Sequence, residues 1–242
     1  IGPNPIPGSD RTLRRLQELG IPYRFLSNGT RSGRQKVREK LLRLGLPVSD
    51  DQILTPATAV VIYLKERGFS SCMLLSTEEL AADILADGIA ITGEAPVLVV
   101  GDAWNGFTYA SMNQAFRAVM EGALLIALEK DRFWKDGDSS SLGAGAFVAG
   151  IEYATGTTAQ LMGKPSLLFY EAALRALGTR AEETLMVGDD IMSDIGGARA
   201  AGITGVLVET GKCNPSTLRQ SGVIPGHIIP SIASLPDLLA ML

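Results

Sequence analysis

Asp189, Asp190 and Asp194 crowd one short stretch, Leu185-Met186-Val187-Gly188-Asp189-Asp190-Ile191-Met192-Ser193-Asp194. Carboxylates this close repel one another unless something cationic neutralises them. The apolar run ending in Gly-Asp reads as the end of a strand, and open α/β sheets place their ligands at the carboxyl ends of strands. Asp190 and Asp194 are four apart, a spacing that puts them on one face of a following helix. A hard divalent cation such as Mg²⁺ suits an oxygen-only set of this kind. The plainer reading has Asp189 and Asp190 cap a helix and favour its dipole. On this segment alone both readings stand.

Two further segments carry the chemistry of anions. In Gly163-Lys164-Pro165-Ser166, a lysine stands just before a helix start that Pro165 permits. There Lys164 can act as a point cation for phosphate, or simply as a surface lysine. In Phe25-Leu26-Ser27-Asn28-Gly29-Thr30, a strand runs into small hydroxyl, amide and glycine residues. Such a turn can offer backbone N–H groups and a hydroxyl to phosphate, and it is also a routine helix cap. All three segments fall at the carboxyl end of an expected strand, which would bring them to one rim of a sheet.

The elements that must position these residues alternate along the chain, and alternation of this kind argues for an α/β fold with a parallel sheet. Leu13, Leu16 and Leu19 repeat through a helix that Ser9 or Asp10 can cap and Gly20 can end. A strand over Tyr23 to Leu26 comes next, then a helix carrying Val37, Leu41, Leu42 and Leu44, then a helix after Thr55-Pro56 ending near Gly68. Further strands are expected at Cys72 to Leu75, Val97 to Val100, Leu124 to Leu128, Leu185 to Val187 and Gly205 to Val208. Helices are expected from Thr77, over Tyr109 to Met120, around Ala146 to Ala154, from Ser166 and from Ile191. The run Asp136-Gly137-Asp138-Ser139-Ser140-Ser141 reads as a loop by composition.

Composition removes several classes of function. A net charge of -4 over 242 residues gives no electrostatic reason to expect nucleic acid or an anionic membrane as partner. No apolar run approaches the ~20 residues needed to span a bilayer, and no secretory leader pattern opens the sequence. The expected compartment is the cytoplasm. Cys72 and Cys213 are the only cysteines; they match no zinc spacing and read as ordinary thiols. The single histidine, His227, reads as a strand-edge residue. A Ser-His-Asp or Cys-His mechanism would have to use it, and no nucleophile elbow lies nearby.

Taken in order, Ser27-Asn28, Lys164 and Gly188-Asp189-Asp190-x-x-x-Asp194 resemble the second, third and fourth motifs of the haloacid dehalogenase superfamily. The long insert between the second and third is similar to the family's large C2-type cap, and the tracts Gly106-Phe107-Thr108-Tyr109 to Arg117, Gly143-Ala144-Gly145-Ala146-Phe147 and Ile151-Glu152-Tyr153-Ala154-Thr155-Gly156 strengthen the match. The resemblance implies a Rossmann-like doubly wound parallel-sheet core, residues 1–70 and 161–242, with an inserted α/β cap, residues 71–160. It implies a Mg²⁺-dependent phosphatase acting on small phosphate esters, phosphoamides or pyrophosphate through an aspartyl-phosphate. Ser27, Asn28 and Lys164 would hold the phosphoryl oxygens, and Lys164 would also neutralise the nucleophile. Asp189 would bind Mg²⁺, with Asp190 as an additional ligand, and Asp194 would orient Lys164 or a metal-bound water. Homodimerisation through the cap is also implied. Substrate choice would fall to the cap, where Lys130, Arg132 and Lys135 accompany Phe133 and Trp134. That stretch also reads as a solvated loop over packed aromatics.

The sequence departs from the family in one respect. Its opening, Ile1-Gly2-Pro3-Asn4-Pro5-Ile6-Pro7-Gly8, resembles the family's segment just after its first motif, Asp-x-Asp-Gly, and no Asp-x-Asp precedes Ser27. The expectation is that the nucleophile lies upstream of residue 1 and that these residues alone form a poor phosphatase. The alternative is a catalytically inactive phosphate-binding or interaction module.

Overall fold

The computed structural model describes residues 4–136 and 138–242. Residues 1–3 and Gly137, which the sequence reading touched, lie outside the described residues, as do the side chains of Lys135 and Asp136. The chain divides into two compact units. One comprises Ile1–Phe25, Arg38–Ile53 and Lys164–Leu242; the other comprises Leu26–Val37 and Leu54–Gly163. Both are α/β.

The first unit holds a three-stranded parallel sheet, ordered Leu185–Gly188, Thr204–Val208, His227–Ile229. His227 thus opens an edge strand. Val206 and Val208 on the central strand pack with Leu13 and Leu16 of the helix Ser9–Glu18, and with Leu46, Ile229, Leu235 and Leu238. The Thr12 hydroxyl ties that helix down by donating to the Ile232 carbonyl at 3.1 Å. The helix Leu167–Leu177 starts where Ser166 accepts the Phe169 N–H, and it buries Phe169, Tyr170, Ala172 and Ala173.

The second unit is built on a five-stranded parallel sheet, ordered Ala90–Ile91, Ser71–Leu75, Val97–Val100, Leu124–Ala127, Gln160–Leu161. The middle strand is apolar at every position and wholly buried, as a parallel strand covered on both faces must be. The helix Tyr109–Met120 begins with a capping box between Thr108 and Ser111. Phe107 and Phe147 stack at 3.9 Å between ring centroids. The helix Pro56–Glu66 also belongs to this unit, with Thr55 as its cap.

Two expectations need correction. The polar run at 136–141 is not an open loop, because Phe133–Asp136 and Ser139–Leu142 form an antiparallel hairpin with Trp134 opposite Ser141. Serine-rich and exposed, its second strand lacks the apolar alternation that marks a half-buried strand. The strand expected over Tyr23 to Leu26 shortens to Phe25–Leu26, which pairs with Ile53–Leu54. Among the described residues no helix is long and apolar enough to cross a membrane.

Candidate active site

The acidic segment at the end of Leu185–Gly188 does not continue as an ordinary α-helix. Residues Ile191–Gly196 form a π-helical turn, followed by the short helix Gly197–Ala200. Asp190 sits ahead of the turn as its cap: Oδ1 accepts the N–H of Met192 at 3.1 Å and of Ser193 at 2.9 Å. A π-turn with Asp190 outside it separates the tasks of the two carboxylates, so the shared helical face expected from their spacing does not form. Asp194 turns back under the strand end. Its Oδ1 meets the Lys164 Nζ at 2.7 Å, with side chains 6% and 12% exposed respectively. Its Oδ2 accepts the Asp190 N–H at 3.1 Å.

Gly188 makes this possible. A Cβ there would stand within 2.5 Å of Asp194 Cβ and Cγ, so any larger residue would push the carboxylate away from Lys164. The buried Tyr170 hydroxyl donates from behind to the turn's backbone, 2.7 Å from the Ser193 carbonyl and 3.0 Å from that of Asp194. Burial first, then the charges of Asp194 and Asp190, push the Tyr170 phenol well above its ordinary range. It is a neutral donor at any working pH.

The repulsion among the three carboxylates is relieved by the protein itself. Lys212, just past the end of the neighbouring strand Thr204–Val208, gives its backbone N–H to Asp189 Oδ2 at 2.8 Å and its Nζ to Asp190 Oδ2 at 3.3 Å. Burial opposes ionisation of Asp190, but the Ser193 N–H, Lys212 and the Met192 N–H together hold its pKa below the usual carboxylate range. The sequence reading missed Lys212, whose place after a parallel neighbour of the acidic strand was an available signal. Tyr170, in the middle of a helix, carried no signal.

Among the described residues no group of three or more acidic, histidine or cysteine side chains is arranged to hold a metal ion. The donor chemistry is nonetheless compatible with Mg²⁺, which keeps several waters and commonly takes only one or two carboxylates together with substrate phosphate. Asp189 offers a strand-end carboxylate with one oxygen engaged. Asp190 and Asp194 are occupied as cap and as lysine partner.

The other residues singled out in the sequence belong to the second unit. The Ser27 N–H donates to the Leu54 carbonyl at 3.0 Å, and the Ser27 hydroxyl accepts the Gly29 N–H at 3.3 Å. Asn28 packs on the backbone of Gly163, where a Cβ would lie 2.7 Å from its Oδ1. Gly163 immediately precedes Lys164 in the chain. Lys130 is engaged by Glu152, with both carboxylate oxygens 2.8 Å from its Nζ. Burial pulls Glu152 upward, but Lys130 and the Ala159 N–H prevail and hold its pKa low. Arg132 is exposed, and its carbonyl accepts the Gly143 N–H at 3.1 Å. Trp134 beside them takes part in a cluster that sequence spacing did not disclose, with Arg31, Asp102 and Trp104.

Comparison with known proteins places this geometry. A family model described as haloacid dehalogenase-like hydrolase matches residues 1–90, and one described as HAD-hydrolase-like matches residues 161–235. Human haloacid dehalogenase-like hydrolase domain-containing protein 2 is 40% identical over 211 residues, covering 87% of this chain and 80% of its own. Phospholysine phosphohistidine inorganic pyrophosphate phosphatase of Xenopus laevis is 34% identical over 241 residues, covering 98% of this chain and 87% of its own. Among solved structures, a p-nitrophenyl phosphatase from Archaeoglobus fulgidus superimposes with a TM-score of 0.88 at 29% identity, covering 97% of this chain and 92% of its own. NagD from Escherichia coli K-12 gives 0.86 at 26% identity, with 96% and 92% covered. Relatives this similar over nearly their whole length share more than a fold, and with them this chain belongs to the haloacid dehalogenase-like hydrolases.

Proposed function

We propose that the protein is a Mg²⁺-dependent phosphatase of small phosphorylated molecules, working through an aspartyl-phosphate. The observation that carries this reading is the buried Lys164–Asp194 pair at the carboxyl end of a parallel strand, beside Asp189. A lysine held there by a buried carboxylate is a fixed positive charge, aimed before substrate arrives. It needs no reorganisation when charge develops on transferring phosphoryl oxygens. Asp194 is a positioning residue, since both of its oxygens are spent on Lys164 and on the Asp190 N–H. Asp189 would hold the cation, and Asp190 could join it by releasing Lys212. The bound ion would supply Lewis-acid polarisation of the phosphoryl oxygens. Ser27 and Asn28 would supply the remaining phosphoryl-oxygen contacts. These residues would supply the binding and electrostatic parts of the reaction, and the attacking aspartate would be that of the family's first motif.

Relatives named for p-nitrophenyl phosphate, phosphohistidine, phospholysine and pyrophosphate support a small phosphate ester, phosphoamide or pyrophosphate as substrate. The test is phosphate release from p-nitrophenyl phosphate and from pyrophosphate by the full natural polypeptide. Turnover that needs Mg²⁺ and falls by at least about a hundredfold in Lys164→Met is the expected result. Turnover indifferent to both Mg²⁺ and Lys164 would overturn the reading.

A further inference from the structure

The chain has two tryptophans, and both stand against one arginine in the second unit. The guanidinium carbon of Arg31 lies 4.1 Å from the ring centroid of Trp104 and 3.9 Å from that of Trp134. The rings themselves are 5.7 Å apart and tilted by 46°. Asp102, only 5% exposed, ties the group together: Oδ2 accepts the Arg31 Nε–H, and Oδ1 accepts the Trp104 N–H at 2.9 Å. Trp104 has φ 50°, a left-handed conformation that a bulky side chain rarely adopts. The buried carboxylate and the two tilted rings act on the same guanidinium.

The part of Arg31 that is held and the part that is left over differ. Its Nε is committed to Asp102, whereas among the described residues neither Nη makes a hydrogen bond. The side chain keeps 33% of its exposure. The two Nη of a flat guanidinium match the two oxygens of a carboxylate or phosphate. The ion pair and the packing against two rings have already reduced the rotamer freedom that a free arginine would lose on binding.

We propose that Arg31, packed against Trp104 and Trp134, is a binding site for the oxyanion group, carboxylate or phosphate, of a small molecule. The inference stands on the second unit alone and does not depend on the phosphatase reading. Because the chain's only tryptophans form the clamp, their emission reports on this site. The 242-residue chain is titrated at fixed ionic strength with inorganic phosphate and, separately, with malonate. The expected result is a saturable change in tryptophan emission with at least one of the two, and the probe that saturates names the oxyanion class. Arg31→Lys keeps a cation for Asp102 but loses the fork, and should weaken binding by at least about tenfold. Arg31→Gln, which can still hydrogen-bond Asp102, serves if the lysine variant does not fold and should lose the response. No saturable change with either probe in the wild type, or equal affinity in a folded variant, would overturn the proposal.

Discussion

The two charged clusters of this chain solve the same problem in opposite ways. Lys164 is held by the Asp194 carboxylate, and both side chains are almost out of water. Arg31 is held by Asp102 at its Nε and by two indoles tilted against its guanidinium, and stays partly exposed. A point charge on a flexible stem needs burial to be fixed, whereas a planar guanidinium can be fixed by stacking while its far edge remains open. The first arrangement is therefore costly to disrupt and rigid in charge. The second is less costly and open to exchange.

The largest effect should come from Lys164→Met, which leaves the Asp194 carboxylate buried without its cation. A loss of about 3–5 kcal/mol, read by urea unfolding, is expected; a loss no larger than that of Arg31→Lys would erase the contrast. Next is Gly188→Ala, whose new methyl group falls on Asp194. A cost of about 1–3 kcal/mol should appear without any change in charge, together with a loss of turnover in the full natural polypeptide.

Glu129 gives the second unit a pH signature. Its folded pKa, about 7, lies above the ordinary 4.5, so between those values the folded chain holds a proton that the unfolded chain has released. Stability from this group is fully present at low pH and falls as pH rises through about 7, by on the order of 2 kcal/mol. Melting temperature should decline over that window in the wild type, and less steeply in Glu129→Gln. Parallel curves would remove Glu129 as the cause. The smallest effect belongs to Lys212→Ala. With 75% of the Lys212 side chain exposed, its pair with Asp190 should contribute no more than about 1 kcal/mol, so unfolding curves should nearly coincide.

The same contrast explains how far the sequence could be read. The helix Tyr109–Met120 was legible to the residue because it carries one periodicity, and the strand Val97–Val100 because it is an unbroken apolar run. Asp189, Asp190, Asp194 and Lys164 were legible because strand ends and helix starts concentrate polar residues at predictable places. The division of labour among them escaped. Whether a segment winds as a π-turn, leaving Asp190 as its cap and Asp194 aimed at Lys164, depends on packing behind it by Tyr170 rather than on local spacing. The Arg31 clamp escaped altogether. Its members come from the segment after Phe25–Leu26, the connection after Val97–Val100 and the strand Phe133–Asp136, and only the fold brings them together. The hairpin that carries Trp134 was hidden by the serines of its second strand.

If the end of Leu185–Gly188 is a cation and phosphate site, it should bind both at once. Calorimetric titration of the full natural polypeptide with Mg²⁺, in the presence of inorganic phosphate, measures this without recourse to turnover. One Mg²⁺ per chain is expected, weakened by at least about tenfold in Asp189→Asn and unchanged in Arg31→Lys. No binding by the wild type, or equal binding by Asp189→Asn, would refute the assignment.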